Sequence, residues 1–253
     1  MRGQVVVITG ANTGIGKVNA TLFARLGAKV VMGCRDMAKA HIAAEDIRRL
    51  VTDADVEVLK LDLSSLGSVR QFAKECGERV QHISLLVNNA GLMFCPNWRT
   101  EDGFEMQFGT NHLGHFLLTL LLMDKLKSAP KARIINVSSI AHMTGEINFD
   151  DINSNQSYNK YRAYYQSKLA NVLFTRELAS RLTGTQVTAY SLHPGLVDTG
   201  LWKYMSGCLK LLNIMFKSIT NIEPELGAQT THYCALEPSI ANESGFYYKF
   251  VFI

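Results

Sequence analysis

A glycine-rich turn between a buried strand and a helix constrains the fold of this chain more than any other segment. The apolar run Val5–Thr9 predicts a strand, and helical spacing begins near Ile15. Between them stand Gly10, Gly14 and Gly16, and glycines let a backbone turn tightly and approach an anion. The free N–H groups at the start of a helix favour negative charge. The turn therefore predicts a pyrophosphate site of the kind found in dinucleotide-binding folds.

Short apolar runs alternate with longer helical segments along the rest of the chain. The predicted strands are 5–9, 29–32, 56–59, 83–87, 133–137 and 187–191, and the predicted helical segments are 15–26, 38–50, 69–80, 104–126 and 163–182. This alternation is typical of a parallel sheet covered by helices on both faces. The predicted fold class is α/β, a doubly wound Rossmann-type domain with about seven strands. No repeat or linker divides the 253 residues, so 1–253 is predicted to be a single domain.

Charge and cysteine content argue against other classes of protein. The 26 basic and 22 acidic residues give a net charge of +4 and form no run of five or six like charges, so no binding to nucleic acid is expected. The 5 cysteines include no C-x-x-C pair, which predicts neither a disulfide framework nor a metal site. The first apolar run is too short for a signal peptide or a membrane span. We expect reduced thiols in a cytosol-facing protein, and both cytoplasmic and membrane-associated locations stay open.

Further short motifs follow the glycine-rich turn along the chain. They are Asp62-Leu63, Asn88-Asn89-Ala90-Gly91, Asn111, Ser139, Tyr164-x-x-x-Lys168, and His193-Pro194-Gly195 followed by Val197 and Thr199. With the G-x-x-x-G-x-G spacing of the turn, this set resembles the short-chain dehydrogenase/reductase superfamily over nearly the whole chain. The runs G-A-N-T-G-I-G-K, G-C-R-D, N-H-L-G-H-F and Y-x-Q-S-K-L-A-N-V-L-F are similar to its retinol dehydrogenase-like branch. The resemblance implies hydride transfer between a nicotinamide cofactor and a small lipophilic alcohol, aldehyde or ketone such as a retinoid.

The resemblance also implies a role for each motif residue. Asn111 is expected to orient a water that connects Lys168 with solvent, and Lys168 to hold the nicotinamide ribose. Many relatives carry an apolar anchor ahead of the first strand, which leaves membrane attachment open. The expected cofactor-binding residues are Gly10, Asn12, Thr13, Gly14, Ile15, Gly16, Lys17, Arg35, Asp62, Leu63, Asn89, Ala90, Gly91, Tyr164, Lys168, Pro194, Gly195, Val197 and Thr199.

Spacing and chemistry indicate the same catalytic residues. Tyr164 and Lys168 are four residues apart in a helical segment, so both project from one face. A tyrosine ordinarily titrates at about 10, and a nearby ammonium is expected to lower that pKa. Ser139 follows the fifth strand, at the edge where open α/β sheets bind ligands, and its hydroxyl suits a developing oxyanion. Tyr164 is therefore expected to give or take the proton of the substrate oxygen.

Several alternatives stay open from the residues alone. Ser138 replaces Ser139 if the strand is shifted by one residue, because neighbours on a strand face opposite ways. His112 and His115 share a helix face, but no third ligand is nearby, so they are expected to be core or interface histidines. Spacing also admits three other tyrosines as the proton donor: Tyr158, Tyr161 and Tyr165.

The end of the second strand indicates which cofactor binds. NAD enzymes place an acidic side chain there to hold the adenosine ribose, and this carboxylate repels the extra phosphate of NADP. Cys34 takes that position here, followed by Arg35, and Lys17 comes directly after the last glycine of the turn. A guanidinium pairs well with phosphate, so NADP(H) is predicted ahead of NAD(H). Asp36 leaves the alternative of ribose contacts in a shifted register.

An apolar segment near the C-terminus is the predicted substrate lid. Residues 200–223 are apolar enough to cover the nicotinamide and a lipophilic substrate. Within them, 208–219 mixes apolar residues with lysines, which also suits a peripheral contact with a membrane surface. The long helical segments leave a homodimer open. The predicted substrate contacts are Ser139, Tyr164, Trp202 and Met205.

Two other classes of protein share parts of this pattern. A non-catalytic NADP(H)-binding sensor or scaffold keeps the cofactor turn and needs no catalytic set. Epimerases and dehydratases of the extended type use the same tyrosine, but they need a larger C-terminal domain than the residues after Thr199 provide. The catalytic set Asn111, Ser139, Tyr164 and Lys168 is complete here, which favours an oxidoreductase.

Overall fold

A sheet of seven parallel strands organises the chain. The computed structural model describes residues 1–197, 204 and 222–249. The strands are β1 Val5–Thr9, β2 Lys29–Cys34, β3 Val56–Lys60, β4 Leu85–Asn88, β5 Ala132–Val137, β6 Val187–His193 and β7 Tyr247–Lys249. Their order across the sheet is β3-β2-β1-β4-β5-β6-β7, and every pairing is parallel. The predicted α/β class and doubly wound topology are confirmed.

Helices cover both faces of the sheet. They are α1 Gly14–Arg25, α2 Met37–Leu50, α3 Leu66–Arg79, α4 Met106–Phe108, α5 Gly114–Leu121, α6 Met123–Lys127, α7 Lys160–Arg181 and α8 Pro224–Leu236. A π-helical turn occupies Gly109–Leu113, and 3₁₀ turns occupy Ile140–Thr144 and Phe149–Asp151. None of the helices within the described ranges has the length and apolarity that crossing a bilayer requires.

Strand side chains alternate between two apolar cores. Val6 and Ile8 belong to the core that α1, α2 and α8 cover, whereas Val5 and Val7 belong to the core formed with α3, α5 and α7. All four are buried because a parallel sheet is covered on both faces. The continuous apolar runs seen in the sequence therefore mark strands that lie between two layers of helices.

Two elements differ from the sequence-based expectation. The segment 104–126 is one helical stretch by its apolar spacing, but it consists of α4, the π-helical turn, α5 and α6. The backbone of Leu122, with φ −93° and ψ 1°, separates the last two helices. Neither α8 nor β7, the strand that completes the sheet, is among the elements predicted from the sequence. That residues 1–253 form a single domain with a lid at about 200–223 stays a prediction.

A chain of buried polar side chains joins the centre of the sheet to the helices. The Asn88 amide donates to Asn136 Oδ1 at 2.7 Å, and these two residues are register partners on β4 and β5. Asn88 also donates to Thr119 on α5 at 2.9 Å, and Asn136 donates to Thr175 on α7 at 2.9 Å. The chain thus fixes both helices against the two strands that precede the candidate site.

Candidate active site

The motif residues lie at the carboxyl edge of the sheet. From β1 the chain continues to β2 and β3 on one side of the sheet, and β4 is the neighbour of β1 on the other side. Open α/β sheets bind ligands in the crevice at such a switch point. The glycine turn follows β1 and Asn89 follows β4, so the two predicted cofactor motifs border the same crevice.

The glycine turn leaves no room for side chains. Gly10 has φ +66° and Gly14 has φ +51°, values that favour glycine. A Cβ on Gly10 would lie 2.9 Å from the Cβ of Ala90, and one on Gly16 would lie 2.3 Å from the Gly10 carbonyl oxygen. Thr13 precedes α1 and makes no side-chain capping bond, so the first N–H groups of this helix keep their capacity for an anion. This cradle fits the pyrophosphate of a dinucleotide.

Thr9 joins the glycine turn to the loop after β4. Its hydroxyl oxygen accepts the backbone N–H groups of Asn89 and Ala90, each at 2.9 Å. The same hydroxyl lies 2.8 Å from Nε2 of His115, whose Nδ1 lies 3.0 Å from the Asn111 carbonyl oxygen. A carbonyl oxygen only accepts, so Nδ1 carries the proton and Nε2 accepts the Thr9 hydroxyl. Burial lowers the pKa of His115 to about 4, which keeps the ring neutral.

Asn111 lies in the π-helical turn and contacts three segments. Its Oδ1 accepts Leu92 N–H at 2.9 Å, and its Nδ2 donates to the Leu92 carbonyl and to Ser167 Oγ, both at 3.0 Å. Its own carbonyl accepts from His115 and, at 3.2 Å, from Asn171 on α7. π-Helical turns are frequent at functional sites because they free backbone groups from the helical ladder. The side chain of Asn111 thus holds protein segments together, and its role toward a water stays a prediction.

Tyr164 and Lys168 lie side by side on α7. Both are 4% exposed, and Lys168 Nζ lies 5.7 Å from the centre of the Tyr164 ring. The Ser139 side chain is a hydrogen-bonding neighbour that lowers the pKa of the Tyr164 phenol, and Lys168 Nζ donates to the Val137 carbonyl at 3.1 Å. Ser138 Oγ donates to the Lys168 carbonyl at 2.7 Å. The structure therefore directs Ser139, and not Ser138, toward the phenol.

Burial dominates the acidity of this pair. It raises the pKa of Tyr164 to about 12, against the hydrogen bond from Ser139, which lowers it. Burial also lowers the pKa of Lys168 to about 8. We expected the Lys168 ammonium to lower the pKa of Tyr164, but in this structure that pKa is raised, because the cost of removing the phenolate from water dominates. Tyr164 is consequently a neutral proton donor at neutral pH.

The three other tyrosines have different partners. Tyr158 donates to the Cys95 carbonyl at 2.7 Å and accepts from Gln107 at 3.0 Å. Tyr161 packs against another ring, and Tyr165 lies 6.4 Å from Tyr164, centre to centre. Tyr164 is the tyrosine on whose phenol the Ser139 side chain acts.

The adenosine end of the crevice is formed by the turns after β2 and β3. Arg35 is exposed, whereas Lys17 is paired with Asp46 on α2 at 2.7 Å. Asp36 caps α2 by accepting Lys39 N–H at 3.1 Å and pairs with the Lys39 ammonium at 3.3 Å. The expected contribution of Lys17 to phosphate binding is therefore weakened by its pairing with a carboxylate. Asp36 is occupied as a helix cap, which disfavours the shifted register.

Asp62 and Leu63 shape the turn that follows β3. Asp62 Oδ1 accepts the backbone N–H and the hydroxyl of Ser64, at 2.9 and 2.6 Å. Leu63 is buried where Gly114 approaches, since a Cβ on Gly114 would lie 2.6 Å from the Leu63 carbonyl oxygen. Both residues lie in the turn after β3, and β3 is separated by β2 from β1, the strand that leads into the glycine turn. Their contact with adenine stays a prediction.

The loop after β6 packs against the start of α8. Gly195 has φ +90°, and Val197 forms a parallel bridge with Ile222. A Cβ on Gly227 would lie 2.4 Å from the Val197 side chain and 3.3 Å from the Pro194 carbonyl oxygen. Thr199, Trp202 and Met205 lie outside the described residues, as do most of the predicted lid and the whole of 208–219.

Sequence reasoning missed a buried group beside Tyr164. Phe94, Glu105 and Gln107 are all buried, and Phe94 has φ +57°, unusual for a bulky residue. Glu105 caps α4 by accepting the N–H groups of Gln107 and Phe108, at 2.9 and 2.7 Å. The predicted helical segment begins at 104, so apolar spacing places Glu105 inside the helix and does not mark it as the residue that caps α4.

Comparisons with known proteins agree with this geometry. A family model described as short chain dehydrogenase matches residues 4–207. Retinol dehydrogenase 13 from Homo sapiens is 49% identical over 252 residues, which cover 97% of this chain and 76% of the relative. Retinol dehydrogenase 12 from Homo sapiens is 50% identical over 247 residues, covering 98% and 78%. Among solved structures, an uncharacterized protein from Mycobacterium paratuberculosis is 40% identical with a TM-score of 0.79, covering 98% of this chain and 81% of the other.

Proposed function

The chain belongs to the short-chain dehydrogenase family, in its retinol dehydrogenase-like branch, and is an oxidoreductase of alcohols and carbonyls; from that premise we propose that it uses NADP(H) and a lipophilic substrate. The observation that carries the proposal is the placement of three residues together, with the Ser139 side chain acting on the Tyr164 phenol and Lys168 Nζ 5.7 Å from the centre of the phenol ring. It joins a proton donor, an oxyanion donor and a cation at the edge of the sheet where the cofactor cradle lies.

Tyr164 is the group that moves the proton. Its phenol is neutral at neutral pH, so it gives its proton to the oxygen of a carbonyl substrate during reduction. The Ser139 hydroxyl donates a hydrogen bond to the same oxygen as negative charge develops there. When bound, the nicotinamide supplies or accepts the hydride. Lys168, charged at neutral pH, stabilises the phenolate that remains on Tyr164.

The preference for NADP(H) rests on charge at the end of β2. Cys34 is buried and offers no carboxylate, and the neighbouring Arg35 is exposed. Asp36, the nearest acid, is turned toward the start of α2. An exposed guanidinium without a competing acid favours a phosphate over a free ribose hydroxyl.

The surroundings of Tyr164 favour a lipophilic substrate. Met93 and Phe94 form an apolar cluster with Tyr164, and Ala141 and Tyr161 pack against it. Retinol dehydrogenases 12 and 13, by name, act on a lipophilic alcohol. Apolar walls with few polar groups suit such ligands, since the polar groups then fix only the reacting end.

The test is NADPH oxidation by the purified chain with retinal, medium-chain aldehydes and steroid ketones, beside the same panel with NADH. Tyr164→Phe removes only the phenol oxygen, and Tyr165→Phe is the matched control. We expect turnover with NADPH that is lost in the first variant and kept in the second. Tight NADPH binding without turnover of any substrate would instead support a non-catalytic sensor.

A further inference from the structure

Phe94 has an unusual backbone next to the proton donor. Its φ of +57° lies in the left-handed region, which bulky side chains rarely adopt. Strained residues of this kind persist only where the surroundings hold them, and they cluster at functional sites. Phe94 is also only 9% exposed, so this strained residue has its aromatic ring in the interior.

Gln107 holds this backbone in place. Its Oε1 accepts the Phe94 N–H at 2.7 Å, while its Nε2 donates to the Tyr158 hydroxyl at 3.0 Å and to the Lys160 carbonyl at 2.9 Å. Gln107 is completely buried, and Lys160 is the first residue of α7. One amide group therefore ties the Phe94 backbone to the helix that carries Tyr164.

The Phe94 ring makes its main contacts with two tyrosines of α7. It meets the Tyr164 ring edge to face, with centres 5.3 Å apart at 74°, and the Tyr161 ring at 4.7 Å and 65°. Such edge-to-face pairs have a preferred geometry. Lys168 lies over the Tyr164 ring as well. The Phe94 ring and the Lys168 ammonium thus both lie against the Tyr164 ring.

We propose that Phe94 is a positioning residue for Tyr164, which orients the phenol toward Ser139 and keeps water away from it. This inference rests on the proposed function, in which Tyr164 is the proton donor. Gln107 acts one step further away by fixing the Phe94 backbone. Position 94 needs an apolar side chain on a strained backbone. A substitution that removes the apolar side chain exposes the Tyr164 phenol to water.

A substrate-free experiment separates this inference from the proposed function. Tetranitromethane nitrates tyrosines that the reagent reaches, and peptide mass mapping follows each site in the intact chain. In Phe94→Gly, where glycine accepts the positive φ, we expect nitration of Tyr164 to rise about threefold or more. Tyr190, completely buried elsewhere, is the internal control for unfolding. An unchanged rate at Tyr164 overturns the proposal, whether or not any substrate is turned over.

Two further variants guard against a general loss of structure. Phe94→Leu keeps apolar bulk and backbone strain, so it should keep the nitration rate of Tyr164 near that of the unmodified chain. Phe149→Gly removes the same ring from a position where Phe149 is 82% exposed, and it should leave the nitration rate of Tyr164 unchanged. If Phe94→Leu raises nitration of Tyr164 as much as Phe94→Gly does, an apolar side chain does not shield the phenol and the proposal is wrong.

The pH dependence of alcohol oxidation provides the catalytic readout. This direction needs the Tyr164 phenolate, so at pH values below the pKa of the phenol its rate rises with pH. Access of water to the Tyr164 ring favours the phenolate, so Phe94→Gly should move the pH–rate profile about half a pH unit toward acid. At a given pH below the midpoint, this shift raises the rate of alcohol oxidation about threefold. A lower rate with an unmoved profile indicates a merely structural role and contradicts the proposal.

Discussion

Thr9→Val is a sharp test of how the cofactor cradle is held together. Valine keeps the branched shape of threonine and removes the hydroxyl that accepts two backbone N–H groups and donates to His115. Asn89 N–H keeps a second acceptor, the Val87 carbonyl at 3.0 Å. The substitution therefore leaves the half-buried Ala90 N–H and the buried His115 Nε2 without their partners.

The magnitude follows from these two groups. A buried polar group that loses its partner costs about 1–3 kcal/mol, and the half-buried Ala90 N–H costs less than the buried His115 Nε2, so the two losses should lower the free energy of unfolding by about 2–4 kcal/mol. That is a large share of the roughly 5–15 kcal/mol that a typical domain has. Thr9→Ser is the matched control, since it keeps the hydroxyl and loses one methyl group, worth about 1 kcal/mol.

Urea unfolding at neutral pH, followed by circular dichroism, measures the difference. We expect the midpoint of Thr9→Val to fall well below that of Thr9→Ser, with an unchanged dependence on urea concentration. NADPH affinity should fall in the same variant, because the Ala90 backbone borders the glycine turn. If the two variants unfold within about 0.5 kcal/mol of each other, the hydroxyl does not hold the cradle and the reasoning fails.

Three other predictions concern the site and its surroundings. Ser139→Ala should lower kcat about 100-fold or more while NADPH affinity stays the same, and steady-state kinetics that show less than a tenfold loss would contradict its role toward the oxyanion. Arg35→Glu should lower the preference for NADPH over NADH, as a ratio of kcat/KM, by about tenfold or more, and an unchanged ratio would place the phosphate elsewhere. Burial lowers the pKa of His115, His193 and His232 to about 4, so the unfolded state takes up their protons first as pH falls. The free energy of unfolding should therefore decrease between about pH 6.5 and pH 4, and urea titrations that show a flat profile there would contradict this.

The sequence was informative where burial leaves a regular pattern. Val5–Thr9 and the other central strands are continuous apolar runs because both faces of the sheet are covered. β7 has three residues, Tyr247–Lys249, and such a short edge strand carries no apolar run to detect. The π-helical turn was missed because apolar spacing does not distinguish it from the surrounding helix.

The chemistry of the site was less predictable than its composition. Tyr164, Lys168 and Ser139 were identified by motif, and the structure brings them together. The pKa of Tyr164 moves opposite to the expectation, because spacing reports a neighbouring charge and says nothing of how much water surrounds a phenol. Phe94 carried no signal, since a positive φ at a phenylalanine is imposed by tertiary contacts and not by local preference.

The buried asparagine pair of β4 and β5 also favours one register between these two strands. Side chains on a strand alternate, so a slip of one residue turns Asn88 and Asn136 away from each other and from their threonines. Several amide groups then lack partners in an apolar interior, at about 1–3 kcal/mol each. Leucines at these positions would allow several registers of β4 against β5, because their side chains need no hydrogen-bond partners. The asparagines thus penalise a misaligned pairing of β4 with β5.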